Sequence, residues 1–117
     1  VEAAGATLAA IVVEPIVETP APLAWLRAAR ALADRVGAVL IFDEVKTGAR
    51  VHVGGWQAVC GVTPDVATFG KAIANGWPLA AVLGSAAVTD VARRAWVSST
   101  LASEAGALAA AHAVLDR

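Results

Sequence analysis

The stretch Gly37-Ala38-Val39-Leu40-Ile41-Phe42-Asp43-Glu44-Val45 decides the fold of this chain. Five apolar residues run without a break and stop at two adjacent carboxylates. An unbroken apolar run rich in Val, Ile and Phe reads as a strand buried on both faces. Such strands belong to parallel sheets covered by helices, whose ligands sit outside the carboxyl ends of the strands. Asp43 stands at that end, so its carboxylate is expected at the mouth of a site.

Working outward, Thr7 to Val13 forms a second apolar strand, ended by Glu14 and Pro15, because proline cannot donate to a ladder. Between the two strands, Pro22 to Val36 has helical period, with Pro22 in the first turn. Arg27, Arg30 and Asp34 share a polar face, and Trp25, Ala29, Leu32 and Val36 share the opposite one. Gly37 supplies the left-handed residue that closes such a helix. The result is a βαβ unit with parallel strands and a right-handed crossover.

Beyond Val45, a polar loop from Lys46 to Gly61 holds a turn at Gly54-Gly55 and a helical turn at Trp56 to Cys60. Asp65 to Phe69 is a third strand. Leu79 to Leu83 is a fourth, and its short connection makes it antiparallel. Ser85 caps a helix running through Arg94. Ser98 to Thr100 is a loop, and either Thr100 or Ser103 caps a final alanine-rich helix with Glu104 in its first turn. The class is α/β, mostly parallel with one antiparallel strand.

Composition narrows the function. The chain has 117 residues, room for about one domain. Its hydrophobic fraction of 58% exceeds the roughly 45–50% of ordinary domains. It starts at Val1 and stops at Arg117 within a helical pattern, so the expectation is a piece cut from a larger fold. No apolar run approaches the ~20 residues of a membrane span. A net charge of −1 makes no case for nucleic acid or an anionic membrane. One cysteine, Cys60, excludes an internal disulfide and fits a reducing, cytoplasmic compartment. His52 and His112 have no metal-ligand companions at workable spacing, so no metal is expected.

A buried strand ending in Asp-Glu first suggests the Walker B element of a P-loop ATPase. That reading needs G-x-x-x-x-G-K-[ST] upstream, and nothing before Asp43 matches it. Gly70-Lys71 comes later, is followed by Ala72, and has Asp65 where the first glycine belongs. The ATPase reading is rejected. Lysine scarcity offers a better lead, since only Lys46 and Lys71 are present. Lys46 sits in a polar loop and reads as a solvated tip. Lys71 lies between Val66-Ala67-Thr68-Phe69-Gly70 and Ala72-Ile73-Ala74, and apolar surroundings at a strand end suit an amine to Schiff-base chemistry. A reactive lysine with a carboxylate for a pyridinium nitrogen is the pair that pyridoxal 5'-phosphate needs.

IFDEV at 41–45, Gly54-Gly55, GVTPDVATFGKAIANGWPLAAVLG at 61–84, and Ser98-Ser99-Thr100 followed by Ser103-Glu104 together resemble a class III aminotransferase of pyridoxal-phosphate fold type I. The chain is most similar to the glutamate-1-semialdehyde aminomutase-like branch. The resemblance runs from about Ile11 to the end. It implies that residues 1–117 are the central part of a three-layer cofactor-binding large domain, without its N-terminal part and the C-terminal small domain. It also implies a homodimer acting on a small-molecule amino donor and a carbonyl acceptor, and an isolated chain without turnover.

Residue by residue, the resemblance makes Asp43 the partner of the pyridine nitrogen and Val45 the apolar residue against one face of the ring. Lys71 becomes the lysine of the internal aldimine. Thr100 matches the threonine that reaches the cofactor phosphate of the neighbouring subunit, or else it is a helix cap. Glu44 and Glu14 match family glutamates and read as anchors for strand ends and loops. Arg50 is either a group for a substrate carboxylate or a loop arginine paired with Glu44 or solvent. Trp77 follows the lysine turn and reads as packing or as a border of the pocket. Lys46 and Ala49 depart from an apolar and an aromatic residue of the family pattern, and Leu101-Ala102-Ser103-Glu104 departs from the aminomutase Ser-Gly-Asn-Pro. Transamination, an intramolecular amine shift and a non-catalytic binding module all stay open on the sequence alone.

Overall fold

The structure, a computed structural model, describes residues 7–96 and 99–116. Four strands, β1 (Ala10–Val13), β2 (Val39–Asp43), β3 (Val66–Phe69) and β4 (Ala81–Gly84), form one sheet in that order. Helix α1 (Leu23–Val36) joins β1 to β2, and α2 (Gly55–Cys60) lies between β2 and β3. A single 3₁₀ turn (Lys71–Ile73) follows β3, while α3 (Ala86–Ala92) and α4 (Ala105–Leu115) follow β4. The β1–β2 and β2–β3 pairs are parallel and the β3–β4 pair is antiparallel, as expected. The carboxyl ends of β1, β2 and β3 therefore open onto the same edge.

Register explains which face is packed. Phe42 pairs with Ala67, and Phe69 with Ala81, so these side chains share one face with Leu40. Leu40 and Phe42 pack with Leu26, Ala29 and Ala33 of α1, and Ala67 and Phe69 pack with Ala111 of α4. The opposite face carries Val12, Ile41, Asp43, Thr68 and Val82. Val12 is 67% exposed and Val82 70% exposed. This corrects the expectation of a central strand buried on both faces: in β2 only alternate residues are buried. The reason is that α1 and α4 both lie on the Leu40–Phe42 side.

Other boundaries shift in instructive ways. β1 begins at Ala10 rather than Thr7, and β4 spans Ala81–Gly84 rather than 79–83. The buried residues of α1 are Leu26, Ala29 and Ala33, not the stripe through Trp25, which is 52% exposed. Arg30 sits at the edge of the buried face, where Asp65 draws it inward. Gly37 closes α1 in the left-handed conformation, with φ 70°. Ser85 takes the position before α3 but its side chain makes no cap bond, and that helix stops at Ala92. Neither Thr100 nor Ser103 caps α4. Glu104 does, accepting from the backbone N–H groups of Gly106 and Ala107 at 3.0 and 2.6 Å. Each of its two oxygens takes one of the helix's orphan donors. Ser98, part of the expected loop, lies outside the described residues.

Candidate functional site

Strand β2 ends at Asp43 because its side chain takes over from the ladder. Asp43 Oδ1 accepts from the Val45 backbone N–H at 3.0 Å, the local turn that Asp favours. The same oxygen accepts from the Thr68 hydroxyl at 3.3 Å, and Thr68 is its register partner on β3. Among the described residues, Asp43 Oδ2 has no partner, so one oxygen is held and the other is available at the open edge.

Val45 lies against the chain just before Lys71. A β-carbon at Gly70 would stand 3.2 Å from Val45 Cγ1. The valine and the lysine thus occupy adjoining loops at the carboxyl edge. Lys71 itself is exposed, although Gly70 and Ile73 beside it are buried. This corrects the apolar enclosure expected from its neighbours: a left-handed backbone at Lys71, φ 46°, and the tight 3₁₀ turn leave the packing to Ile73 and Ala74.

Lys71 lines a cavity of about 440 Å³ with Arg50, Asn75 and Trp77. A larger cavity of about 680 Å³ lies between Ala67, Phe69, Leu83 and Ala111, and none of Asp43, Val45 or Lys71 lines it. That larger space belongs to the packed face of the sheet; the smaller one is bordered by Lys71, and neither Asp43 nor Val45 lines it.

Glu44 is a structural anchor. Fully buried, it accepts from the backbone N–H groups of Trp56 and Gln57 at 2.8 and 2.9 Å and from the Thr47 hydroxyl. It therefore caps α2 from a distance and ties the loop to the strand end. Arg50 is not its partner. Lys46 is not a free tip either: its ammonium donates to the Val17 carbonyl and lies 4.0 Å from Glu14. Thr100 is exposed within a turn of its own, away from the α4 cap.

Behind the site, Asp65 joins three elements. Its Oδ2 accepts from Arg30 of α1 at 2.8 Å and from the Leu40 backbone N–H of β2 at 2.7 Å, just before β3 begins. Partial burial by itself would raise the Asp65 carboxyl, but the Leu40 N–H and the Arg30 guanidinium outweigh it and hold the group below its ordinary value. Partial burial likewise works against the Arg30 charge, and its bonds to Asp65 and Asp34 more than offset this. Sequence reading found the Arg30–Asp34 pair, which lie 2.6 Å apart, but missed Asp65 and Thr68. Those contacts depend on strand register, for which the linear sequence carries no signal.

Residues 1–117 match the class III aminotransferase family, and the chain belongs to it. It is 43% identical over 101 residues to the 3-aminobutyryl-CoA aminotransferase of Cloacimonas acidaminovorans (strain Evry), a match covering 80% of this chain and 24% of that protein. The PLP internal aldimine form of the Sphingopyxis sp. MTA144 FumI protein superposes with a TM-score of 0.91 at 33% identity, covering 98% of this chain and 29% of that one. An omega-transaminase from Sphaerobacter thermophilus gives 0.89 at 35% identity, with 98% and 28% covered. The chain thus spans about a quarter of the length of the curated relative. Among the described residues no helix is long and apolar enough to cross a membrane.

Proposed function

We propose that the protein carrying this chain is a pyridoxal-phosphate-dependent aminotransferase. It moves an amino group from a small-molecule amino donor to a carbonyl acceptor, with residues 1–117 as the central part of its cofactor-binding large domain. One observation carries the reading: Asp43 presents a carboxylate oxygen without a partner among the described residues at the carboxyl edge of the sheet, beside the loops that carry Val45 and Lys71. That arrangement fits a protonated heterocycle with an apolar face and a carbonyl group, which is the chemistry of the cofactor.

When bound, the cofactor supplies the electron sink that lets a carbon beside an amine give up its proton. Asp43 Oδ2 would accept the hydrogen bond of the ring nitrogen and favour its protonated form, while the Thr68 hydroxyl and Val45 N–H fix the other oxygen. The Val45 side chain gives the ring an apolar surface. The Lys71 amine would hold the cofactor covalently and, when free, would take a proton from the substrate carbon and return it elsewhere, a role typically worth about 10²–10⁴-fold in rate. Thr100, exposed and not used as a helix cap, is available to the cofactor phosphate of a neighbouring subunit in a homodimer. The single cysteine supports a reducing, cytoplasmic setting.

The test is capture of the cofactor by the full-length protein. Borohydride treatment in the presence of pyridoxal phosphate should label Lys71, and Lys71→Ala should abolish both label and turnover. A label of undiminished yield in Lys71→Ala overturns the assignment.

A further inference from the structure

We propose that Trp77 is a positioning residue for the Lys71 amine, and that its seat is Gly106 in the first turn of α4. The proposal rests on the aminotransferase reading above, in which Lys71 is the reacting group. Among the described residues three non-glycine positions have left-handed φ: Ala49 at 57°, Lys71 at 46° and Asn75 at 45°. Two of the three lie in the turn from Gly70 to Pro78, and Gly76 follows them at 112°. Strained backbone of this kind persists only where the surrounding structure imposes it. Three contacts do so here. Gly70 lies against Val45, and Ile73 and Ala74 are buried in one cluster with Ala111 of α4. At the far end Trp77 lays its indole on Gly106.

A β-carbon at Gly106 would stand 2.9 Å from Trp77 Cζ3 and 3.2 Å from Cη2, so the indole fills the place of a side chain. The backbone does not ask for glycine there, since Gly106 is not among the glycines of positive φ. Within Ala105–Leu115, AGALAAAHAVL, alanine would be the better helix former. Room for Trp77 is the reason for glycine that the structure offers. The path from this seat to the lysine is short. Trp77 N–H donates to the Ala74 carbonyl at 3.2 Å, and Asn75 N–H donates to the Lys71 carbonyl at 3.1 Å. Trp77 also lines the cavity that Lys71 borders. Moving the indole therefore moves the backbone that sets where the Lys71 side chain leaves the turn.

The experiment uses the full-length protein freed of cofactor and follows the rate at which added pyridoxal phosphate gives a borohydride-reducible label at Lys71. In Gly106→Ala that rate should fall roughly 3- to 30-fold, within the 10²-fold that a 1 Å misplacement can cost. The thermal midpoint should hold or rise, because alanine restricts the unfolded chain and suits the helix. Trp77→Phe, whose ring is shorter, should also slow labelling. The double variant Gly106→Ala/Trp77→Phe should label faster than either single one, the mark of two residues in contact. Methylation of Lys71 by formaldehyde and cyanoborohydride, which asks only for an accessible amine, should be equal in all four proteins. An unchanged pyridoxal-phosphate rate in Gly106→Ala overturns the seat, and so does a loss that the double variant fails to relieve. A parallel loss of methylation also overturns it, since the contact would then serve packing alone. Failure of the wild-type protein to form the Lys71 adduct is a separate readout and overturns the parent reading instead.

Discussion

The Thr68 hydroxyl donates to Asp43 Oδ1 across the β2–β3 pair, so the strand that leads to Lys71 also holds the carboxylate. This bond orients Asp43 without blocking its second oxygen. Thr68→Val should weaken pyridoxal-phosphate affinity of the full-length protein roughly 3- to 10-fold, the worth of one ordinary hydrogen bond. Thr68→Ser should restore it. Titration of the cofactor absorbance measures both, and equal affinity in all three proteins would remove Thr68 from the site.

Glu44 serves the fold rather than the chemistry. Glu44→Ala leaves the buried Thr47 hydroxyl and the part-buried Trp56 and Gln57 N–H groups without their acceptor, at up to about 1–3 kcal/mol for each that finds no other partner. Glu44→Gln keeps one accepting oxygen and should cost less. Gly55→Ala is also expected to destabilise, since φ there is +74° and a β-carbon would lie 2.6 Å from the Glu44 carboxyl carbon. Urea unfolding midpoints should rank wild type above Glu44→Gln and Glu44→Gln above Glu44→Ala.

Asp65 predicts a pH dependence of stability. Its folded-state pKa is depressed below the ordinary value of about 3.9, so the carboxylate stabilises the fold fully above roughly pH 4. That contribution is lost as pH falls through the folded-state value. Asp65→Asn should lower stability at neutral pH and flatten the acid limb below about pH 4. An acid limb identical to wild type would contradict the bridge to Arg30 and Leu40.

The α4 cap gives a local test. Glu104→Ala should cost about 0.5–2 kcal/mol and speed amide exchange at Gly106 and Ala107 first. Glu104→Asp, one methylene shorter, should recover part of the protection. Protection unchanged in Glu104→Ala would mean that the cap contributes nothing.

Much of the fold was legible because local chemistry and tertiary structure agree in this chain. Apolar runs ending at Asp43 and Glu14 marked strands, Gly37 closed the first helix, and a short connection forced the antiparallel fourth strand. The family pattern singled out Asp43 and Lys71. What could not be read depended on register and on chain neighbours far apart. Thr68 meets Asp43 only because the parallel strands align those two positions, and Arg30 meets Asp65 across 35 residues. The exposure of Lys71 was concealed by its apolar flanks, because the sequence shows which residues surround it but not which way a left-handed turn sends its side chain.

Left-handed backbone at Ala49, Lys71 and Asn75 has a consequence for how this chain would respond to selection. Glycine adopts that conformation freely, whereas an ordinary residue there costs roughly 1–2 kcal/mol, with asparagine the most tolerant. A library screened only for resistance to heat or protease should therefore enrich glycine at 49 and 71. A library screened for turnover should restore lysine at 71. The position where the two screens disagree most strongly would mark, without a bound ligand, where the fold gives up stability for chemistry.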